Sequence, residues 1–250
     1  MDRWYNKVAV VTGASSGIGQ VVAADLVKHD FRVVALARRT DRLLENKLAL
    51  QDTLRARYHI VNCNVTNEEE VKCTFEWIEK TLGGTDVLIN NAGIICRGTN
   101  LSSLDSTKPA RDTLDTNVMG VFYCVREAFN SMKKRNFDGH VVIVNSIGGH
   151  KVPIIPGISY NMYCATKYAV TAMVETYRQE FADAGTKVKV TSISPGIVDT
   201  EIIRNKEAMK NAGVPFLNPE DVSNAILYVL GTPPHVQVHE LMIKPVGETF

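Results

Sequence analysis

The chain has 250 residues, 45% of them hydrophobic and 22% charged, with a net charge of +1. That size and apolar content suit one large globular domain with a sizeable core, and near-neutrality without clustered Lys and Arg sets nucleic-acid binding aside. The five cysteines (Cys63, Cys73, Cys96, Cys124 and Cys164) are scattered and odd in number, which fits reduced thiols in a cytoplasmic protein better than a disulfide framework.

Short apolar runs alternate with helical patterns along the chain. Residues 7–12, 32–37, 58–62, 86–90, 140–145 and 188–193 read as strands, with a last one near 240–243. Their near-continuous hydrophobicity indicates strands covered on both faces, as in a parallel sheet. Helical stretches fall at 17–29, 41–50, 67–81, 110–135, 160–184 and 219–230. This alternation predicts an α/β fold: a single-domain, Rossmann-like, doubly wound parallel sheet with helices on both faces and ligands at the carboxyl ends of the strands. The stretch 199–216 has no strong pattern and is expected to form a substrate lid. No apolar run approaches the roughly 18 residues of a membrane span, and the first residues carry no apolar leader, so a soluble, intracellular protein is expected.

Directly after the first expected strand comes Thr12-Gly13-Ala14-Ser15-Ser16-Gly17-Ile18-Gly19, which opens a helix. That placement suits a nucleotide pyrophosphate. Gly13 permits a tight turn, Gly17 lets backbone approach the phosphates, and Gly19 lets helix and strand pack closely. The helix N-terminus adds free N–H groups and partial positive charge. A purely structural turn is the plain alternative, and a methyltransferase-type loop competes, although nothing acidic closes the first strand. After the second strand stands Ala37-Arg38-Arg39, where an NAD site places Asp or Glu to bind the ribose 2′-hydroxyl. Two guanidinium groups there favour a 2′-phosphate, so NADP(H) is the expected cofactor; a pair of surface arginines is the alternative.

Further on, Tyr163-Cys164-Ala165-Thr166-Lys167 falls within an expected helix. Residues four apart share a helix face, so the Lys167 ammonium can lie beside the Tyr163 phenol. A tyrosine of pKa about 10 is a poor base near neutrality, and bringing it close to pH 7 takes roughly 4 kcal/mol of help from neighbouring positive charge. So tuned, Tyr163 would act as general acid/base on a hydroxyl or carbonyl. An ordinary amphipathic helix carrying both residues is the alternative. Tyr160 is a rival base, but Cys164 and not a lysine stands four residues after it.

These motifs, taken in order, resemble the short-chain dehydrogenase/reductase family over the whole chain. The likeness rests on Thr12–Gly19, Asn90-Asn91-Ala92-Gly93, Asn117, Ser146, Tyr163-x-x-x-Lys167 and Pro195-Gly196-x-Val198-x-Thr200. Within the family the chain is similar to the branch of insect NADP-dependent farnesol dehydrogenases and the vertebrate dehydrogenase/reductase member eleven. The resemblance implies that Ser146 hydrogen-bonds the substrate oxygen, Tyr163 transfers the proton, and Lys167 lowers the Tyr163 pKa and binds the nicotinamide ribose. It implies that Asn117 holds a water relaying protons from Lys167. Asn91, Ala92 and Gly93 would line the adenosine-ribose side, and Thr200 would touch the nicotinamide carboxamide. One departure is Asn64, beside Val65, where the family usually places an Asp that accepts from the adenine amino group; an amide oxygen can still accept. A homo-oligomer, dimer or tetramer, is likewise implied.

Other features have plain explanations. His235 and His239 lack the Glu of a zincin helix, so no metal is expected. Cys96 and Cys164 read as buried spectators, the triplet Glu68-Glu69-Glu70 as support for a helix N-terminus, and Lys133, Lys134 and Arg135 as a solvated helix end. Ile94, Ile95, Met162 and the aliphatic residues of 152–158 and 202–216 are expected around the substrate, with no Lys or Arg clamp for an acid. The reading is a small lipophilic substrate, first of all farnesol oxidised to farnesal. A carbonyl or ketosteroid reductase and a non-catalytic NADP-binding sensor or scaffold are the alternatives.

Overall fold

The computed structural model describes residues 1–96, 100–104, 107–154, 160–203 and 205–248. Seven strands, β1 (Val8–Thr12), β2 (Arg32–Ala37), β3 (Tyr58–Asn62), β4 (Val87–Asn90), β5 (His140–Val144), β6 (Lys189–Pro195) and β7 (Glu240–Ile243), form one sheet in the order β3-β2-β1-β4-β5-β6-β7. Every pairing is parallel. Successive side chains serve opposite faces. Ala9, Val11, Val33 and Ala35 join one apolar cluster, while Val8, Val10, Val34 and Leu36 join the other. Both faces are dry, which is why the strands read as unbroken apolar runs.

The helices are α1 (Gly17–Lys28), α2 (Thr40–Leu48), α3 (Asp52–Arg55), α4 (Glu68–Leu82), α5 (Lys108–Leu114), α6 (Gly120–Lys134), α7 (Tyr163–Asp183), α8 (Lys206–Asn211) and α9 (Pro219–Gly231). Apolar residues of α1 and α9 belong to the first cluster, and those of α4, α6 and α7 to the second. This is the doubly wound, Rossmann-like arrangement anticipated from the sequence. The strand order reverses direction between β1 and β4, so their carboxyl ends diverge and leave a crevice.

Several local features differ from the expectation. The helix expected over 110–135 is two helices joined by a π-helical turn, Asp115–Met119, which contains the buried Asn117. Hydrophobic period does not register one such turn, and π-turns recur at functional sites. Helix α7 starts at Tyr163, and α3 and α8 are too short to show a period. The acidic triplet does open α4, where Asn67 accepts from the N–H groups of Glu69 and Glu70. Arg135, expected in solvent, instead pairs with the buried Asp86 at 2.7 Å. The other oxygen of that carboxylate accepts from Val8 N at 2.8 Å. A guanidinium reaching back to a strand entrance leaves no trace in a local charge pattern.

One hydroxyl ties the two central strands together where they diverge. Thr12 Oγ1 accepts from Asn91 N at 3.0 Å and from Ala92 N at 2.9 Å, and donates to Asn90 Oδ1 at 3.2 Å. Thr12 and Asn90 are buried, while Asn91 and Ala92 are partly buried beside the cleft. Thr12→Val keeps the shape but takes the partner from two donors and an acceptor, which costs about 1–3 kcal/mol for a buried group and less where water reaches it, as beside the cleft. A loss of about 2–4 kcal/mol in denaturant-measured stability is expected for Thr12→Val, and a much smaller loss for Thr12→Ser, which keeps the hydroxyl. Equal losses in the two variants would contradict this role.

Candidate active site

The crevice above β1 and β4 is a cleft of about 330 Å³. Its floor is the glycine turn. Gly13 has φ +66°, and a Cβ there would lie 2.9 Å from Ala92 Cα; one on Gly19 would lie 2.5 Å from Gly13 O. Gly17, at φ +57°, faces Thr200, whose Cγ2 would be 3.0 Å from a Cβ. Asn91 Nδ2 donates to Thr12 O at 2.9 Å and to Gly13 O at 3.3 Å, so this side chain braces the turn. The α1 N-cap, Ser16, makes no side-chain cap bond. Its Oγ accepts from Arg39 Nη2 at 2.8 Å, and Ser15 Oγ accepts from the same nitrogen at 3.1 Å. Ile18, Arg38, Asn64, Val65, Ala92, Gly93, Pro195, Gly196 and Val198 also line the cleft.

Asn64 is more constrained than its sequence context indicates. Its Oδ1 accepts from Thr66 N at 3.3 Å and from Thr66 Oγ1 at 3.0 Å, so an adenine amino group would compete with that turn. Asn117 is similarly committed. Its amide accepts from Ile94 N at 2.8 Å and donates to Ile94 O at 2.9 Å and Thr166 Oγ1 at 3.1 Å. The side chain fastens the loop after β4 to α7. A proton-relaying water would have to be held here by main chain.

At the other end of the cleft, β5 runs into a 3₁₀ turn, Ile147–Gly149, capped by Ser146, whose Oγ accepts from Gly148 N at 3.0 Å. A Cβ placed on Gly148 would lie 3.3 Å from Ser146 Oγ and 3.5 Å from Tyr163 Cε1, so hydroxyl and phenol ring both border this glycine. Lys167 lies one turn along α7, buried, with Nζ donating to Val144 O at 2.9 Å and standing 5.8 Å from the Tyr163 ring centroid. Burial pulls the Lys167 pKa down from 10.5 to about 8, so the group is still mostly cationic at neutrality. Cys164 is buried and its thiol pKa is raised by that burial, which keeps it protonated and unreactive. Tyr160 also lines the cleft, and its carbonyl accepts from Tyr163 N at 2.9 Å.

The apolar side of the cleft contains Ile94, Ile95, Ile202 and Ile203 as expected, and adds Pro153 and Met209. Val152 and Ile154 are exposed instead, at 53% and 89%, and Ile155 and Ile158 lie outside the described residues. Sequence reasoning missed Glu201, which lines the cleft and pairs with Arg39 and Arg42 more than 150 positions away. It also missed the close packing of the 3₁₀ turn on α7. Thr171 Oγ1 donates to Gly149 O at 3.0 Å and accepts from Asn145 Nδ2 at 2.9 Å.

That packing leaves no space at Gly149, where a Cβ would lie 2.7 Å from Lys167 O and 2.9 Å from Asn145 Nδ2. Backbone cannot yield as a side chain can. Gly149→Ala is expected to lower stability by about 1–3 kcal/mol and to cut turnover more than tenfold by shifting α7. Gly148→Ala, whose nearest neighbours are side-chain atoms, should leave the melting temperature closer to that of the parent. A Gly149→Ala variant with unchanged melting and turnover would contradict this packing role.

The family model described as short chain dehydrogenase matches residues 7–211. A farnesol dehydrogenase of Aedes aegypti is 54% identical over 250 residues, covering 100% of both chains. Dehydrogenase/reductase SDR family member 11 of Homo sapiens is 39% identical over 98% of this chain and 96% of its own. Among solved structures, a serine dehydrogenase in its closed form complexed with NADP+ aligns with a TM-score of 0.84 at 31% identity, over 97% of this chain and 96% of that one. An alcohol dehydrogenase from the archaeon Thermococcus sibiricus, complexed with 5-hydroxy-NADP, aligns at 0.82 with 28% identity over 98% of each chain. Matched in sequence end to end and in fold, the chain belongs to the short-chain dehydrogenase family and is an oxidoreductase of that family.

Proposed function

We propose that this oxidoreductase uses NADP(H) to interconvert a lipophilic alcohol and its aldehyde or ketone, with farnesol-type isoprenoid alcohols as the foremost substrates. The observation that carries the proposal is Ser146 Oγ and the Tyr163 ring both bordering Gly148, with the buried Lys167 ammonium 5.8 Å from that ring's centroid. The 54% identity to a farnesol dehydrogenase supports the substrate class, and the apolar residues Ile94, Ile95, Pro153, Ile202, Ile203 and Met209 along the cleft agree with it.

The residues present fit the cofactor. The glycine turn is a cradle that side chains would fill, and Ser15, Ser16 and Arg39 converge their polar atoms beside it. In this reading Gly13, Gly17, Ile18, Gly19 and the α1 N-terminus hold the pyrophosphate, and Arg38 and Arg39 the 2′-phosphate. Asn64 and Val65 border the adenine, and Asn91, Ala92 and Gly93 its ribose. Tyr163 and Lys167 bind the nicotinamide ribose, and Pro195, Gly196, Val198 and Thr200 the nicotinamide. When bound, NADP(H) supplies or accepts the hydride at the carbinol carbon.

The chain itself handles the proton. Ser146 Oγ accepts from Gly148 N, which leaves its own proton to donate to the substrate oxygen and stabilise the charge that develops there. Tyr163 takes the hydroxyl proton in oxidation and returns it in reduction. Lys167, cationic and desolvated, favours the phenolate, because a nearby positive charge acts more strongly where water is excluded. Asn117 keeps Ile94 and Thr166 in place, and a water on its main chain would link Lys167 to solvent.

Residues 1–250 form one domain, and 199–216 act as a lid over the substrate. Asp199, bonded to Lys206 Nζ at 2.8 Å and Lys210 Nζ at 2.5 Å, holds that segment compact. Half-exposed Met119, Phe122 and Tyr168 suit a homo-oligomer, dimer or tetramer, and free thiols at all five cysteines suit the cytoplasm. Among the described residues no helix is long and apolar enough to cross a membrane.

The test is turnover with NADP across primary alcohols of increasing length up to farnesol. Each buried methylene contributes up to about 0.8 kcal/mol, or roughly fourfold, so kcat/KM is expected to climb toward the isoprenoid range. A flat response would remove the lipophilic substrate, and absence of turnover throughout the series would favour the non-catalytic alternative.

A further inference from the structure

Glu201 follows Thr200 on the segment leaving β6, yet its carboxylate reaches the residues beyond β2. Oε2 accepts from Arg39 Nη1 at 3.2 Å and Oε1 from Arg42 Nη1 at 2.5 Å, while Arg39 Nη2 stays on Ser15 and Ser16. The three charged side chains are 45%, 37% and 56% exposed for Arg39, Arg42 and Glu201, so these are solvent-screened ion pairs. The carboxyl is held below the usual range, first by its hydrogen bond from Arg42, and is therefore an anion at neutrality. Arg39, Ser15, Ser16 and Glu201 all line the one cleft. A guanidinium, two hydroxyls and a helix N-terminus make a setting suited to a phosphate, and a carboxylate already sits on its guanidinium.

We propose that Glu201 is an internal competitor for the 2′-phosphate: its carboxylate occupies Arg39, and a 2′-phosphorylated adenosine exchanges with it. The inference rests on the reading that Arg38 and Arg39 receive that phosphate. A phosphate carries about −1.5 to −2 charges and three acceptor oxygens, so it outcompetes a single carboxylate without any loss of charge pairing. The exchange has a selective consequence. Glu201 lowers affinity for phosphorylated adenosines and leaves unphosphorylated ones largely unaffected, because only the former need Arg39 released. It also joins nucleotide arrival to the 199–216 segment, since the tether between that segment and Arg39 opens when the phosphate binds.

Isothermal titration of the full chain with 2′,5′-ADP and with 5′-AMP tests this without reference to turnover. The parent chain is expected to prefer 2′,5′-ADP. The exchange displaces one exposed ion pair, Arg39–Glu201, whose ordinary strength corresponds to about a 1.5- to fivefold change, so Glu201→Gln should bind 2′,5′-ADP tighter by about that factor. Its affinity for 5′-AMP should stay within about twofold of the parent. If the parent prefers 2′,5′-ADP and Glu201→Gln binds it no more tightly, the competitor role is overturned while the cofactor reading stands. Weaker binding of both nucleotides by Glu201→Gln would make Glu201 a clamp over the ligand, and likewise overturns it. A parent chain that binds both nucleotides equally overturns the 2′-phosphate reading and this inference with it.

Discussion

A lysine ammonium held inside the protein against a strand carbonyl is the constraint on which the β5–α7 corner depends, the end of the cleft where we propose the proton is handled. Taking a charge out of water costs several kcal/mol unless polar partners are fixed around it. Here the partner is Val144 O, the last carbonyl of β5, at 2.9 Å from Lys167 Nζ. Burial lowers the lysine's pKa to about 8, still high enough to leave the group mostly charged at neutrality. Holding Lys167 there demands that α7 meet the end of β5 closely. Gly149 supplies that approach by having no side chain, and Asn145 and Thr171 bond across the joint. Ser146 and Tyr163 are then brought together as a by-product of one tightly packed corner.

The two ends of the cleft run on different physics. At the β5–α7 end Ser146 and Lys167 are buried with bonded partners while Tyr163 is partly buried, so substitution there carries a structural penalty. At the β2 end, Arg39, Arg42 and Glu201 are about half exposed, so their pairings are each worth only about 0.2–1 kcal/mol and can be exchanged. Proton handling needs preorganisation, and ligand selection needs an equilibrium that small changes can tilt. The sheet places these two environments along one side of the same crevice, at the ends of different strands.

Much of this was legible in the sequence because the signals were local. Doubly buried strands show themselves as unbroken apolar runs, and Gly13, Gly17 and Gly19 mark positions where a Cβ would collide. Tyr163 and Lys167 are one helical turn apart, so spacing alone predicts their proximity. What stayed hidden was non-local or sub-periodic. The π-turn around Asn117 alters the hydrogen-bond pattern without altering composition, Arg135 reaches Asp86 across the sheet entrance, and Glu201 meets Arg39 from the far side of the fold. The substrate wall was only partly readable, because aliphatic residues on loops look alike whether they face the cleft, as Ile202 and Ile203 do, or solvent, as Ile154 does.

The central claim is that Tyr163 moves the proton while other residues hold the nucleotide. Its most direct test is the Tyr163→Phe variant, measured both for turnover and, by quenching of protein fluorescence, for NADPH affinity. Removal of a positioned acid/base costs about 10² or more in rate, so turnover should fall at least that far while NADPH binds within a few-fold of the parent. Near-normal turnover in Tyr163→Phe would contradict the account outright.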